Sequence, residues 1–258
     1  MSPQNPQAPQ DGVIEIRGPV ELPRRTEEVE LRTADGLTLV GELATPQDRA
    51  PVATLVTLHP LPTGGGFMDS HILRKAAARL PALAGIAVLR FNFRGVTSPR
   101  GTSEGEFGHG EAERHDLAAA MAFVRERALP NPWLLGWSFG TEVLLKHGRG
   151  YAAGDAAIGA GLAGAILLSP PLRRTTPEEL ARWSDAGIPV VAIVPELDDY
   201  LRPPEARERF AIAPNVELVE VEGGKHLWVG EEQTTRVLTE IVQRLNPAAL
   251  PLPTRWRA

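Results

Sequence analysis

The most constraining stretch of the chain is Pro132-Trp133-Leu134-Leu135-Gly136-Trp137-Ser138-Phe139-Gly140-Thr141. A short apolar run suited to a buried strand leads into Gly136-x-Ser138-x-Gly140, and residues 142–147 then read as a helix. The bare motif is weak, but strand, tight turn and helix in that order are the setting it needs. Such a turn strains the Ser138 backbone and lifts its hydroxyl clear of the sheet. Glycines flank it because side chains would collide where strand and helix pass so closely. The helix that starts there points its free N–H groups at the serine. Against this stands the plainer reading, an ordinary turn serine beside packing glycines. The rest of the chain decides between them.

Its 258 residues suit one large α/β domain or two small ones, and a hydrophobic content of 43% supports a proper core. A net charge of −5 argues against nucleic acid and anionic membrane as partners. The absence of cysteine excludes thiol catalysis, disulfides and thiolate metal sites, and is compatible with a cytoplasmic location. No apolar run reaches the ~20 residues of a membrane span. Residues 1–24 begin Pro- and Gln-rich, without a signal-peptide pattern, and are expected as a flexible arm. Residues 25–246 are expected as the folded domain and 247–258 as a tail, docked by Leu250, Leu252 and Trp256.

Residues 28–32 and 37–43 flank Ala34-Asp35-Gly36 and read as a β-hairpin. From Val52 onward apolar strands alternate with helical segments: strands at 52–58, 87–93, 133–135, 165–169, 189–194 and 216–221, and helices from Asp69 or Ser70 to 83 and at 111–127, 142–147, 177–185, 204–210 and 232–245. That alternation predicts an α/β fold with about eight strands, mostly parallel, and helices on both faces. Two glycine-rich stretches are set aside. Gly64-Gly65-Gly66 lacks the Gly-Lys-Ser/Thr of a phosphate loop, and Gly159-x-Gly161-x-x-Gly164 precedes a strand rather than following one.

Ligands of such sheets gather beyond the C-terminal strand ends. Three residues there suit a nucleophile, an acid and a base: Ser138, then Asp198 or Asp199, then His226 in Gly223-Gly224-Lys225-His226. A serine hydroxyl needs an imidazole to take its proton, and the imidazole needs a carboxylate to fix its tautomer. Of the other histidines, His59 precedes a proline and is expected to shape its turn, while His71, His109, His115 and His147 fall on or near helices. No His-Glu-x-x-His is present, and no metal or cofactor is expected. The oxyanion of an acyl intermediate needs two amide donors. One is expected from Phe139, directly after the nucleophile. The other is expected from Leu61, because its neighbours Pro60 and Pro62 have no N–H.

With these residues in hand, the chain resembles the α/β-hydrolase superfamily, most of all the small cap-less serine hydrolases of bacteria near the dienelactone-hydrolase-like group. The resemblance spans about residues 28–246 and rests on Leu58-His59-Pro60 with Gly65-Gly66 and Met68-Asp69, on Arg90-Phe91-Asn92-Phe93-Arg94-Gly95, on the serine motif, and on Gly223 to His226. It implies an α/β-hydrolase fold without a cap domain, Ser138 as nucleophile, His226 as base, and Leu61 and Phe139 as oxyanion amides. The family's acid lies in Gly-x-x-Asp followed by x-x-x-Pro. Here Pro195 replaces the glycine; counting from it gives Asp198, and counting back from Pro203 gives Asp199. Asp198 is favoured because distance from the strand end sets the reach. The 96–110 loop is longer than the family pattern, either lining the pocket or filling surface. The dienelactone enzymes use a cysteine nucleophile, which this chain lacks, so their reaction does not carry over.

The expectation is therefore a serine hydrolase cleaving a carboxylic ester or thioester of a small or exposed acyl group, with Trp137, Phe67, Leu227 and Trp228 near the substrate. An acyltransferase, a small peptidase with the same machinery, and a non-catalytic binding protein on the same scaffold are the alternatives. Partners are expected to be small molecules; the oligomeric state is not legible.

Overall fold

A computed structural model describes residues 12–152 and 161–257. In chain order the strands are β1 (Val13–Glu15), β2 (Arg24–Arg32), β3 (Thr38–Pro46), β4 (Ala53–Leu58), β5 (Ile86–Phe91), β6 (Thr97–Ser98), β7 (Gly101–Thr102), β8 (Pro132–Trp137), β9 (Gly164–Leu168), β10 (Val190–Pro195), β11 (Val216–Val221) and β12 (Arg255–Arg257). The α-helices are α1 (His71–Ala84), α2 (Glu113–Glu126), α3 (Phe139–His147), α4 (Arg149–Ala152), α5 (Pro177–Ala181), α6 (Pro203–Phe210) and α7 (Glu231–Leu245).

Eight strands form one sheet in the order β11-β10-β9-β8-β4-β5-β3-β2. The six from β11 to β5 run parallel, while β3 and β2 add antiparallel at one edge. Five of the parallel strands, β4, β5, β8, β9 and β10, are buried on both faces because successive residues point to opposite layers: Leu134 joins one core and Leu135 the other. Leu117, Met121 and Val124 of α2, with Val143 and Leu144 of α3, cover one face. Ile72 and Leu73 of α1, with Val237, Leu238 and Ile241 of α7, cover the other. Burying each of these large side chains is worth about 1.5–3 kcal/mol.

The strand order also places the site. After β4 the chain passes to β5 on one side, and after β8 it passes to β9 on the other. The two departing loops leave a crevice beyond the C-terminal ends of β4 and β8, at the reversal of strand order where ligands of open α/β sheets bind.

The expected arm to residue 24 is corrected in its second half. Val13–Glu15 pairs antiparallel with Arg255–Arg257, and Leu22 is buried with its N–H on the Ala78 carbonyl. Each terminal segment is too short to read as a strand, and they pair only because the fold brings the two ends together. Residues 1–11 lie outside the described residues. Leu250 and Leu252 pack on the core, and Trp256 stands opposite Ile14. The hairpin is longer than its alternation suggested, and β5 ends at Phe91 rather than residue 93. Beyond it the Asn92 N–H bonds the Val40 carbonyl and the Phe93 N–H bonds a histidine ring. The first glycines of the 159–164 pattern straddle the edge of the described residues; Gly164 opens β9. Among the described residues, no helix is long and apolar enough to cross a membrane.

Candidate active site

Ser138 sits between β8 and α3 with φ 53° and ψ −115°, a left-handed conformation that a side-chain-bearing residue adopts only under strain. Three features hold it there. Its N–H donates to the Leu168 carbonyl at 2.9 Å. A Cβ at Gly136 would lie 2.4 Å from the Gly140 oxygen, and one at Gly140 would lie 2.1 Å from the Leu58 oxygen. Strand, helix and the end of β4 therefore close to backbone contact, which only glycine permits.

The imidazole of His226 reaches this serine from the loop after β11. Its Nε2 lies 2.9 Å from Ser138 Oγ, and its Nδ1 lies 2.9 and 3.1 Å from the two Asp198 carboxylate oxygens. With the Nδ1–H donating to Asp198, Nε2 is left to accept the serine proton. Asp198 is buried, and its Oδ1 also accepts the N–H groups of Tyr200 (2.8 Å) and Leu201 (3.3 Å). Asp199 is exposed.

The loop after β4 carries Leu61. The Leu61 carbonyl accepts from Gly64 (3.0 Å) and Gly66 (2.9 Å), and a Cβ at Gly66 would meet the Pro60 oxygen at 2.2 Å. The loop is thus folded tightly on itself. Neither the Leu61 nor the Phe139 N–H has a hydrogen-bond partner among the described residues. Because Gly140 presses against Leu58 and His59, the start of α3 abuts the start of this loop. His59 is buried and shapes the turn. Its Nδ1–H donates to Pro60 O at 2.7 Å, and its Nε2 accepts the Phe93 N–H at 3.0 Å. Burial lowers its pKa to about 4, so the ring is neutral.

The four aromatic and apolar residues expected near the substrate divide. Leu227 is 56% exposed at the rim, and Phe67 is half-buried against the same layer as Phe139. Trp137, only 2% exposed, is a correction: its side chain turns into the α1/α7 layer, as the alternation of β8 requires. Trp228 is fully buried as well.

These two tryptophans have another use that the sequence did not disclose. The Trp137 indole N–H donates to the His226 carbonyl at 3.2 Å, as does the Ser169 hydroxyl at 3.3 Å, while Trp228 donates to Ser169 Oγ at 2.8 Å. His71 adds a bond to the Leu227 carbonyl at 2.6 Å. Buried indole N–H groups need acceptors, which is the one signal that could have suggested this role.

The 96–110 loop is held close to the site. Its Phe107 ring packs on Phe139 at 5.3 Å and on His109 at 4.6 Å. Glu113 accepts the Gly108 and Gly110 N–H groups at 2.8 Å. No group of three or more His, Asp or Glu side chains among the described residues is placed to hold a metal ion.

No family model matches the chain, and a search among curated proteins found no match either. Solved structures do match. A lid-less α/β serine hydrolase from Xanthomonas campestris is 27% identical, with 92% of this chain and 100% of that one covered and a TM-score of 0.69. An α/β serine hydrolase homologue from Coxiella burnetii is 24% identical over 85% of this chain and 97% of that one, with a TM-score of 0.68. An esterase from Pyrococcus furiosus is 20% identical over 86% and 93%, with a TM-score of 0.65. Only residues 169–176 separate β9 from α5, which leaves no room there for a lid. By sheet order, crossover pattern and these likenesses, the chain belongs to the α/β-hydrolase superfamily, in its lid-less form.

Proposed function

We propose that the protein is a serine hydrolase acting on carboxylic esters, or thioesters, of a small or exposed acyl group. One observation carries this reading: an unbroken hydrogen-bonded line from the buried Asp198 through His226 to Ser138 on its strained turn. In this reading Ser138 Oγ attacks the ester carbonyl while His226 Nε2 takes its proton. The developing oxyanion rests on the N–H groups of Leu61 and Phe139, which have no other partner among the described residues. The C–O bond then breaks, and the alcohol leaves with the proton from His226. Water, deprotonated by the same nitrogen, attacks the acyl-enzyme and restores Ser138. Asp198 keeps the imidazole in the required tautomer and stabilises its cation. A crevice without a lid suits small or exposed acyl groups. The names of the similar structures, serine hydrolases and an esterase, point the same way.

The test is Ser138→Ala. The parent is expected to hydrolyse p-nitrophenyl acetate and to label with a fluorophosphonate probe. The variant, folded by circular dichroism, is expected to do neither. A folded variant that turns over the ester like the parent overturns the mechanism.

A further inference from the structure

Arg173 and Arg174 lie on the segment between β9 and α5. Both of their backbone N–H groups bond one Glu142 carboxylate oxygen, at 2.7 and 3.1 Å, and the Thr175 hydroxyl donates to the other oxygen. Glu142 is buried in the first turn of α3, just behind Ser138. Three donors make that buried carboxylate tolerable, and in return they tie the arginine segment to the nucleophile's own helix.

The two guanidinium groups then part. Arg174 donates to the His109 carbonyl at 3.2 Å and lies over the Phe139 ring. Arg173 has no side-chain hydrogen bond or ion pair among the described residues. Its guanidinium stands 4.7 Å above the Tyr200 ring, and the Tyr200 ring stands 4.5 Å from the His226 imidazole. Two successive ring contacts therefore lead from the proton-carrying imidazole to an exposed fork of five unpaired N–H donors.

In an ester hydrolase working as described above, His226 must deliver a proton to the departing oxygen, so the alcohol portion lies on the His226 side of Ser138. Tyr200 and Arg173 are what it meets next. The chain carries a net charge of −5, so its overall field does not draw anions, and any preference for them has to be local. From this placement we infer that the protein favours esters whose alcohol portion carries an oxyanion, a carboxylate in the simplest case, bound by Arg173. The inference rests on the ester-hydrolase reading and adds a substrate class to it.

The test pairs the acetate esters of 4-hydroxybenzoate and 4-hydroxybenzamide, which share the acyl group and differ at the para position in charge. For an exposed guanidinium the parent is expected to favour the anionic ester by about fivefold in kcat/KM, through KM. Raising sodium chloride to about 0.5 M shrinks the ratio. Arg173→Gln brings it to about one, and Arg173→Lys restores part of it. Moving the carboxylate to the acyl side, in mono-p-nitrophenyl succinate against p-nitrophenyl butyrate, gives no comparable preference. A parent ratio near one, or a preference that survives Arg173→Gln, overturns the inference while leaving the hydrolase reading intact. If the parent cleaves none of these esters and takes no fluorophosphonate label, both readings fall together.

Discussion

The loop after β4 and the loops after β10 and β11 face the same serine but are held differently. Behind the first lies a charged lattice built on the buried Arg90–Glu42 pair, with Asp69 half-buried and Arg100 at the surface. Arg90 donates to Glu42 and Asp69, and Arg100 reaches the remaining oxygens of both, at 2.7 and 2.8 Å. Asn92 accepts the Met68 N–H at 2.9 Å and donates to Ser98. The neutral His59 ring ties the loop to β5's end. On the other side, backbone carbonyls of residues 226 and 227 are held by neutral donors: two side chains on His226 and one on Leu227. Around them Leu197, Tyr200, Leu227 and Val229 stand exposed, four of the six large apolar side chains that do so among the described residues. In the proposed mechanism the Leu61 and Phe139 amides meet a developing charge and need fixed positions, and an ionic lattice is specific because each partner demands the others. In the same proposal His226 needs only its ring aimed, which would leave the surrounding surface free to receive substrate.

The sharpest way to break the contrast is at the acid. Asp198→Ala is expected to lower kcat by about 10⁴-fold, the scale for losing the imidazole's orienting carboxylate, while Asp199→Ala stays close to the parent in steady-state ester hydrolysis. Next comes the lattice. Arg90→Met leaves Glu42, which is 3% exposed, with Arg100 as its only cation, and is expected to cost about 3 kcal/mol in urea unfolding, the low end of the range for removing one partner of a buried pair. Trp137→Phe removes one bond to the His226 carbonyl and opens a small cavity in the α1/α7 layer, and is expected to cost about 2 kcal/mol by the same measurement. That value would have to approach the Arg90 value for the contrast between the two sides to fail.

A further test concerns pH. Glu231 at the start of α7 feels burial, which raises its pKa. Bonds from Arg79 and the Gly18 N–H, with the nearby Lys75, outweigh that and hold it at about 2, below the ordinary 4.5. A depressed carboxylate pKa stabilises the fold above the unfolded value, and that stability drains away as pH falls through the folded one. Glu231→Gln is therefore expected to lower Tm at pH 7 and to match the parent near pH 2. A difference that stays constant across pH 4.5 to 2 would show that the ion pair is not its source.

Much of the fold was legible because each signal was local. The alternation of apolar strands and helices from Val52 onward follows from covering both faces of a parallel sheet, and the glycine at 136 from a contact with Gly140 within the same turn. Where the reading missed, the determinant was distant. Trp137 looked like a site aromatic because it adjoins Ser138, but the pleat of β8 sends neighbouring side chains to opposite faces. The Glu42–Arg90–Asp69–Arg100 lattice joins four separate segments; Asp69 and Arg90 stand in motifs that carry the resemblance, but nothing in the sequence pairs them with each other or with Glu42 and Arg100. The pairing of Val13–Glu15 with Arg255–Arg257 has no local signature at all.

By itself the sequence determined the tight strand–helix turn at Ser138, the sheet class, and the type of residue carried by each strand-end loop, since sterics and periodicity act over a handful of neighbours. Which of two adjacent aspartates turns its carboxylate to His226, which guanidinium stays unpaired beside Tyr200, and how the loop bearing Leu61 is held were decided only by the tertiary structure. Those outcomes depend on distances between segments that nothing in their own neighbourhoods specifies.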